Sequence, residues 1–354
     1  MTDGTDSGIV GSSSREVPEA GLPYDALLLV SFGGPERPED VIPFLEDVLR
    51  GKNVPRARLS EVAEKYYLFG GVSPLNAQNR ALLAALVDEL NRHGPRLAVY
   101  WGNRYGQPLL ETTVEEMAQS GVRRALAFVT SAFGSYTSCR QYLEAIEQAR
   151  KTIGPEAPQI EKLRLFYNHP GFVEAQADRV MAALRQIPAD RREAAKLIYT
   201  AHSIPLAMAS KCAYEEQLRE ACRLVSEQVG REDWVLVYQS RSSGDCEPWL
   251  EPDIGDYLVR LHHAGKTSDV VIVPLGFVSE NMEIVYDLDV EVASLCEHLG
   301  LHMVRAAVVS SHPRFITMIR QLILERIEAH PDRLAVGRFG PSPDVCPAEC
   351  CLRF

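Results

Sequence analysis

From Tyr24 onward the chain alternates two hydrophobic rhythms. Short, mostly apolar runs ended by glycine or proline suit strands buried on both faces of a parallel sheet. Ala26–Phe32, Leu97–Trp101 and Ala125–Val129 are such runs. Around them, Val41–Leu49, Asn79–Leu90 and Thr113–Ser120 place apolar residues at helical spacing. A second series predicts strands at Leu163–Tyr167, Leu197–Ala201, Val235–Tyr238, Val270–Val273 and His302–Ala306. Helices are expected among them at Phe172–Ile187, Glu215–Val229 and Met282–Leu299, with prolines 35, 170, 205 and 274 marking strand ends.

This alternation predicts an α/β protein of two doubly wound domains with parallel sheets. Residues 1–22 are polar and rich in Gly and Ser, and read as a disordered tail. The first domain is expected over 23–160 and the second over 161–311. A C-terminal segment, 312–354, holds an amphipathic helix over Arg314–Ala329 and a cysteine-rich tail. In open α/β sheets ligands bind beyond the carboxyl ends of the strands, so the residues just after each strand carry the functional signal.

Charge narrows the partners. A formal net charge of −11 disfavours a general role on nucleic acid and gains nothing from an anionic membrane surface. No apolar run reaches the roughly 18–20 residues of a spanning helix, and the N-terminus lacks a signal-peptide core. A cytoplasmic monomer without integral membrane association is expected.

His202 stands directly after the strand-like run Ala195–Ala201, in Thr200-Ala201-His202-Ser203-Ile204-Pro205. Imidazole accepts protons near neutral pH and binds divalent transition metals. A hydrogen-bonded structural histidine is the bland alternative. Glu283, Asp287 and Glu291 recur at i, i+4 and i+8, one stripe of a helix, with Glu280 in its first turn. That stripe suits either a solvated face or a relay of protons or cations; burial of Glu283 is expected to raise its pKa and improve it as a base. Tyr67 lies in an aromatic segment that suits either a mobile loop over a flat apolar ligand or simple loop packing. Arg104 and Tyr105 follow a strand, and Trp249 is a further aromatic candidate; Arg104 is able to hold a ligand carboxylate.

Eight cysteines occur, three of them in the last nine residues at Cys346, Cys350 and Cys351. Zinc ligation, an iron–sulfur cluster and an unstructured redox tail all remain open from spacing alone. Cys139 is the best placed fourth ligand, and adjacent Cys350 and Cys351 are sterically awkward as joint ligands of one centre.

Five segments together resemble the ferrochelatases: Leu-Val-Ser-Phe-Gly-Gly-Pro-Glu (29–36), Tyr-Trp-Gly-Asn-Arg-Tyr (100–105), Thr-Ala-His-Ser-Ile-Pro (200–205), Tyr-Gln-Ser-Arg (238–241) and Pro-Leu-Gly-Phe-Val-Ser-Glu-Asn-Met-Glu-Ile-Val-Tyr-Asp-Leu-Asp (274–289). The resemblance covers nearly the whole chain from Tyr24. It implies two Rossmann-like, chelatase-like domains and a lyase of heme biosynthesis that inserts Fe²⁺ into a porphyrin with release of two protons. His202 and Glu283 become the catalytic pair that also meets the substrate Fe²⁺, with Asp287 and Glu291 behind them. Phe32, Tyr67, Arg104, Tyr105 and Trp249 become porphyrin contacts. Some members hold a [2Fe–2S] cluster on one internal and three C-terminal cysteines, which implies Cys139, Cys346, Cys350 and Cys351 here.

Two positions depart from the family pattern. Many members read Ser-Asp-His-Ile-Glu where this chain has Ser279-Glu280-Asn281-Met282-Glu283, so the second histidine is lost. Members that ligate product iron through tyrosine carry it where this chain has Phe32. The charged stretch Val54–Lys65 replaces the apolar lip of membrane-associated relatives and favours coproporphyrin III, with four carboxylates, over protoporphyrin IX. A non-enzymatic tetrapyrrole carrier and a cobalt or nickel chelatase are the competing readings; neither a pocket nor the fold excludes them, but a carrier has no need of the His–Glu pair.

Overall fold

The computed structural model describes residues 13–14, 21–51, 56–241, 247–265 and 267–353. The expected tail over 1–22 therefore lies outside the described residues apart from positions 13–14 and 21–22, as do Val54, Pro55 and Cys246. Nine strands make two sheets among the described residues. The first holds β1 (Ser13–Ser14), β2 (Ala26–Ser31), β3 (Ala98–Asn103), β4 (Arg124–Val129) and β5 (Gln159–Lys162) in the order β1-β3-β2-β4-β5. All its pairings are parallel except β1 against β3. The second holds β6 (Lys196–His202), β7 (Trp234–Gln239), β8 (Asp269–Val273) and β9 (His302–Arg305), parallel throughout, in the order β7-β6-β8-β9.

The continuous apolar runs become central strands because helices cover both faces. β2, β3 and β8 are buried at every residue. One apolar core runs through both sheets, from Leu29 and Phe128 to Tyr199, Val273 and Phe315. Smaller clusters fill the outer face of each sheet.

The expected strand at Leu163–Tyr167 does not form. The strand ends at Lys162 and belongs to the first sheet, paired with β4. Leu163, Leu165, Phe166 and Tyr167 are buried because this segment crosses through the shared core. Burial without pairing leaves the same apolar signature as a strand.

The last long helix, Pro313–Ile327, clasps the two halves. Arg320 donates to the His93 and Gly94 carbonyls at 2.6 Å each. Glu325 receives a two-pronged pair from buried Arg164 at 2.6 and 2.7 Å. Both partners are almost fully buried, so removing one would strand the other charge. No helix among the described residues is long and apolar enough to cross a membrane.

Gly276 decides how closely the chain leaving β8 approaches β6. Its N–H donates to the Thr200 carbonyl at 3.0 Å. A Cβ here would lie 2.6 Å from Ala201 Cβ and 2.7 Å from Ala201 Cα. Gly276→Ala is therefore expected to lower stability by about 1–3 kcal/mol through overpacking against backbone. Urea unfolding measures this, with Gly340→Ala as the control, because open space surrounds Gly340. Equal midpoints for the two variants would show that the β6 contact tolerates a methyl group.

Candidate active site

Strand register brings the first two functional groups together. His202 is the last residue of β6 and lies opposite Gln239, the last residue of β7. Tyr214 donates its hydroxyl to the His202 carbonyl at 3.0 Å, fixing the strand end. The imidazole Nδ1 lies 2.5 Å from the Ser203 carbonyl. A carbonyl only accepts, so Nδ1 carries a proton and Nε2 faces the cleft.

Glu283 reaches the same point from the chain after β8. Asn281 has extended backbone and caps the short helix Met282–Val285, its side chain accepting from the Ile284 N–H at 3.1 Å. Gln239 Nε2 donates to the Glu283 carbonyl at 2.6 Å. Glu283 Oε1 then lies 3.1 Å from His202 Nε2, with the side chains 42% and 35% exposed respectively. The pair is thus set back from the surface yet open to a ligand.

The charges settle in one direction. Burial pushes the His202 pKa down, but the Glu283 charge and hydrogen bond, with the Ser203 carbonyl and Asp287, raise it to about 9. Burial pushes Glu283 up, yet His202 and Lys65 hold it below the ordinary carboxylate value. The expectation that burial makes Glu283 the stronger base is thus corrected. A bound imidazolium outweighs desolvation, and in the ligand-free site the proton rests on His202.

The long helix expected over Met282–Leu299 is broken into three. Met282–Val285 is one α turn, Asp287–Val292 is π-helical, and Ala293–His298 is α-helical. Four residues overshoot one α turn and fall short of one π turn, so the π segment offsets the angular drift of the acids. Asp287 is 15% exposed and accepts from Ser240 Oγ at 2.5 Å. Burial raises its pKa above the ordinary value, helped by Glu283 and Glu291 and opposed by Ser240 and Lys65. Glu291, 53% exposed, is the outer member. Glu280 does not join this stripe: it pairs with Arg305 at 3.0 Å, and Arg305 also grips Asp289.

Aromatic groups gather around the first-sheet edge. Phe32, 37% exposed, stands 5.0 Å from the Tyr105 ring and 6.2 Å from Phe44. Gly33, at φ +89°, lets this turn approach the Tyr105 carbonyl, where a Cβ would collide. The Arg104 guanidinium lies 4.9–5.9 Å from the Phe32, Tyr105 and Tyr142 rings and donates to Gln141 Oε1 at 3.2 Å. Tyr66 and Tyr67 close the helix Arg56–Tyr67 instead of forming the expected loop. Tyr67 and Leu68 are exposed, and with Arg58, Lys65 and Tyr286 they line a groove of about 620 Å³. Trp249 stands apart from this mouth. It is 8% exposed and bridges Pro205 in the loop after His202, so it presents little surface to a ligand.

The tail cysteines lie side by side. The neighbouring Cys346 thiol and burial push the Cys139 thiol up, and Cys350 Sγ lies 3.5 Å from Cys351 Sγ. Arg140 donates to the Ala348 carbonyl at 3.2 Å and anchors this turn. Cys351 sits at φ +53°, a strained conformation for a residue with a side chain. Among the described residues, however, no group of three or more His, Cys, Asp or Glu side chains is placed to hold a metal ion.

Sequence reasoning missed Tyr214, Asn281 and the partnership of Gln239 and Ser240 with the acidic helix. The run Gln239-Ser240-Arg241 at the end of β7 carried the only signal, its place on the carboxyl edge. Lys65 was visible only as one charge in a charged stretch.

Fold and site together define a doubly wound α/β enzyme with a histidine–carboxylate pair at the strand ends. The same architecture occurs in SirB from Bacillus subtilis with Fe³⁺, at a TM-score of 0.54 over 84% of this chain and 95% of that one, with 13% identity. Residues 24–327 match the family profile described as Ferrochelatase, and the chain belongs to the ferrochelatase family. It is 52% identical over 330 residues to a ferrochelatase of Rhodopirellula baltica, covering 93% of this chain and 94% of that one. It is 51% identical over 340 residues to a coproporphyrin III ferrochelatase of Frankia alni, covering 93% and 86%. A coproporphyrin III ferrochelatase of Nocardia farcinica is 48% identical over 347 residues, covering 93% and 97%. The chain is accordingly a lyase of heme biosynthesis that inserts iron into a porphyrin.

A raised His202 pKa couples protonation to folding. Its contribution is full below the ordinary value of 6.5 and is lost as pH climbs through about 9. Titration of the His202 ring by NMR is expected to show a midpoint near 9 in the ligand-free protein. In Glu283→Gln the midpoint should fall clearly, because burial then acts without its main counter-charge, leaving only the Ser203 carbonyl and Asp287 to oppose it. An unshifted midpoint in the variant would assign the raised pKa to another group.

Proposed function

We propose that the porphyrin is coproporphyrin III, that His202 and Glu283 are the catalytic pair, and that Asp287 and Glu291 form a route for iron and protons. The 3.1 Å contact between His202 and Glu283 carries the reading. Two pyrrole protons must leave as Fe²⁺ enters, so the site needs groups that change protonation state beside the macrocycle. Glu283, ionised in the ligand-free pair, is ready to accept a proton. His202 must first lose its own, and approach of the divalent substrate favours that loss by repulsion. Asp287, with its raised pKa, is suited to take that proton outward to exposed Glu291, and the neutral His202 then accepts the second pyrrole proton.

Phe32, Tyr67 and Tyr105 supply flat apolar surface for the macrocycle, while Arg104 brings a cation to its rim. Phe32 offers iron no donor atom, so His202 is the nitrogen this reading assigns to it. The helix Arg56–Tyr67 is charged along much of its length, and that supports a substrate with peripheral carboxylates. The names of the Frankia and Nocardia relatives support the same choice. A cytoplasmic monomer is part of this proposal; no helix among the described residues is long and apolar enough to cross a membrane.

The tail is read as the holder of a [2Fe–2S] cluster on Cys139, Cys346, Cys350 and Cys351. What supports this reading is the count of thiols and the return of the tail to the Cys139 segment, where Arg140 holds the Ala348 carbonyl; the described side chains do not themselves form a metal-holding group. Such a cluster would supply one-electron redox chemistry and would tie the tail to the first domain. Metal insertion itself requires no redox step.

Anaerobic turnover with Fe²⁺ and each of the two porphyrins tests the main reading. Coproporphyrin III should give the higher kcat/KM; His202→Ala should abolish insertion while porphyrin still binds. Glu283→Gln should lose about 10²–10⁴-fold, far more than Glu291→Gln. A preference for protoporphyrin IX in detergent would overturn the substrate, and near-normal turnover of His202→Ala would remove the histidine from catalysis.

The cluster is tested separately by anaerobic purification. The protein should be coloured, with visible absorption that disappears in Cys139→Ser. A colourless protein carrying one zinc would replace the iron–sulfur reading with a zinc site.

A further inference from the structure

The acidic stripe already holds a cation, and that cation belongs to the other half of the molecule. Lys65 Nζ lies 3.6 Å from Asp287 Oδ1 and 3.8 Å from Glu291 Oε1. The same ammonium sits 4.0 Å from the centre of the Tyr286 ring. It therefore bridges the two outer carboxylates over an aromatic face, and it lowers the pKa of both Glu283 and Asp287.

The helix that carries Lys65 is lightly attached. Arg56–Tyr67 buries only Ala63 fully. Its apolar side, with Leu59, Val62 and Tyr66, rests on Val41, Phe44 and Leu45 in a small cluster separate from the main core. Across the cleft, the described ion pairs joining this helix to the acidic segment are those of Lys65. The helix also carries Tyr67 at the mouth, so its position sets how open the mouth is.

We propose that Lys65 is an electrostatic latch: its ammonium occupies the outer acidic stripe in the ligand-free enzyme and is displaced by the incoming divalent metal. The inference rests on reading Asp287 and Glu291 as the iron route. A divalent ion interacts with the two carboxylates more strongly than a single ammonium at similar distance, since Coulomb energy scales with charge. An ammonium is also a compact, strongly hydrated charge on a flexible stem, able to swing into solvent. Lys65 is then a positioning residue that sets the apparent affinity for metal and couples metal arrival to release of the helix over the mouth. Weak metal loading in the resting state follows, because each divalent ion must displace a cation already in place.

The test is metal binding by the porphyrin-free protein, with Co²⁺ as the probe, followed by calorimetry or visible absorption. Lys65→Gln should bind Co²⁺ about three- to ten-fold more tightly, the scale set by two partly exposed ion pairs. Lys65→Arg should stay close to the native protein, and the gain should vanish when Asp287→Asn is added to Lys65→Gln. In steady-state assays the gain should appear as a lower KM for metal, with the KM for porphyrin unmoved. An unchanged Co²⁺ affinity in Lys65→Gln would overturn the latch. So would a shift confined to the porphyrin KM, which would make Lys65 a contact for a porphyrin carboxylate. Failure of the native enzyme to insert metal would sink the functional reading, while the Co²⁺ titration would still decide the latch.

Discussion

The contact between His202 and Glu283 requires three chain segments to be held in register. β6 delivers the imidazole, and the loop after β8 delivers the carboxylate. Gln239, at the end of β7, holds the Glu283 backbone from the neighbouring strand position. The close approach of Gly276 to Ala201 removes the slack between the first two. Tyr214 then holds the His202 backbone, and the Ser203 carbonyl orients the ring. Without this bracing a partly buried carboxylate would lose its counter-charge, and its desolvation cost would return in full.

The same geometry makes a gradient of proton affinity along one short path. His202 holds its proton well above neutrality, Glu283 stays ionised, and Asp287 is shifted toward protonation. Three groups, two of them identical in chemistry, separate because each meets a different balance of burial and neighbouring charge. The π-helical segment keeps Asp287 and Glu291 aligned with Glu283 while Leu288 and Val292 stay in the core. An uninterrupted α-helix would let the acids drift round the axis.

The C-terminal segment follows a different logic. Arg164 and Glu325 bury opposite charges together, and the helix Pro313–Ile327 ties both halves to one core. The tail then runs back over the molecule, with Asn168 donating to the Phe339 and Gly340 carbonyls at 2.8 and 3.1 Å. That path returns the cysteine-bearing tail to the segment around Cys139, some two hundred residues away in sequence, where Arg140 holds the Ala348 carbonyl.

The sequence by itself determined the α/β class, the two series of buried strands and the residues at the carboxyl edge of each sheet. Those follow from local rules: apolar runs, helical spacing, and proline or glycine at strand ends. His202 was legible because a strand end fixes where its last side chain stands, and Glu283 through its stripe of carboxylates and the family resemblance. Tertiary structure decided the rest, for long-range reasons. Leu163–Tyr167 reads as a strand, yet it crosses the shared core, since burial and pairing leave the same apolar pattern. The break of Met282–Leu299 into α and π turns depends on packing that no periodicity records. Which of His202 and Glu283 holds the proton is a balance of desolvation against one neighbouring charge. That balance exists only once the two side chains, eighty-one positions apart, are brought to 3.1 Å.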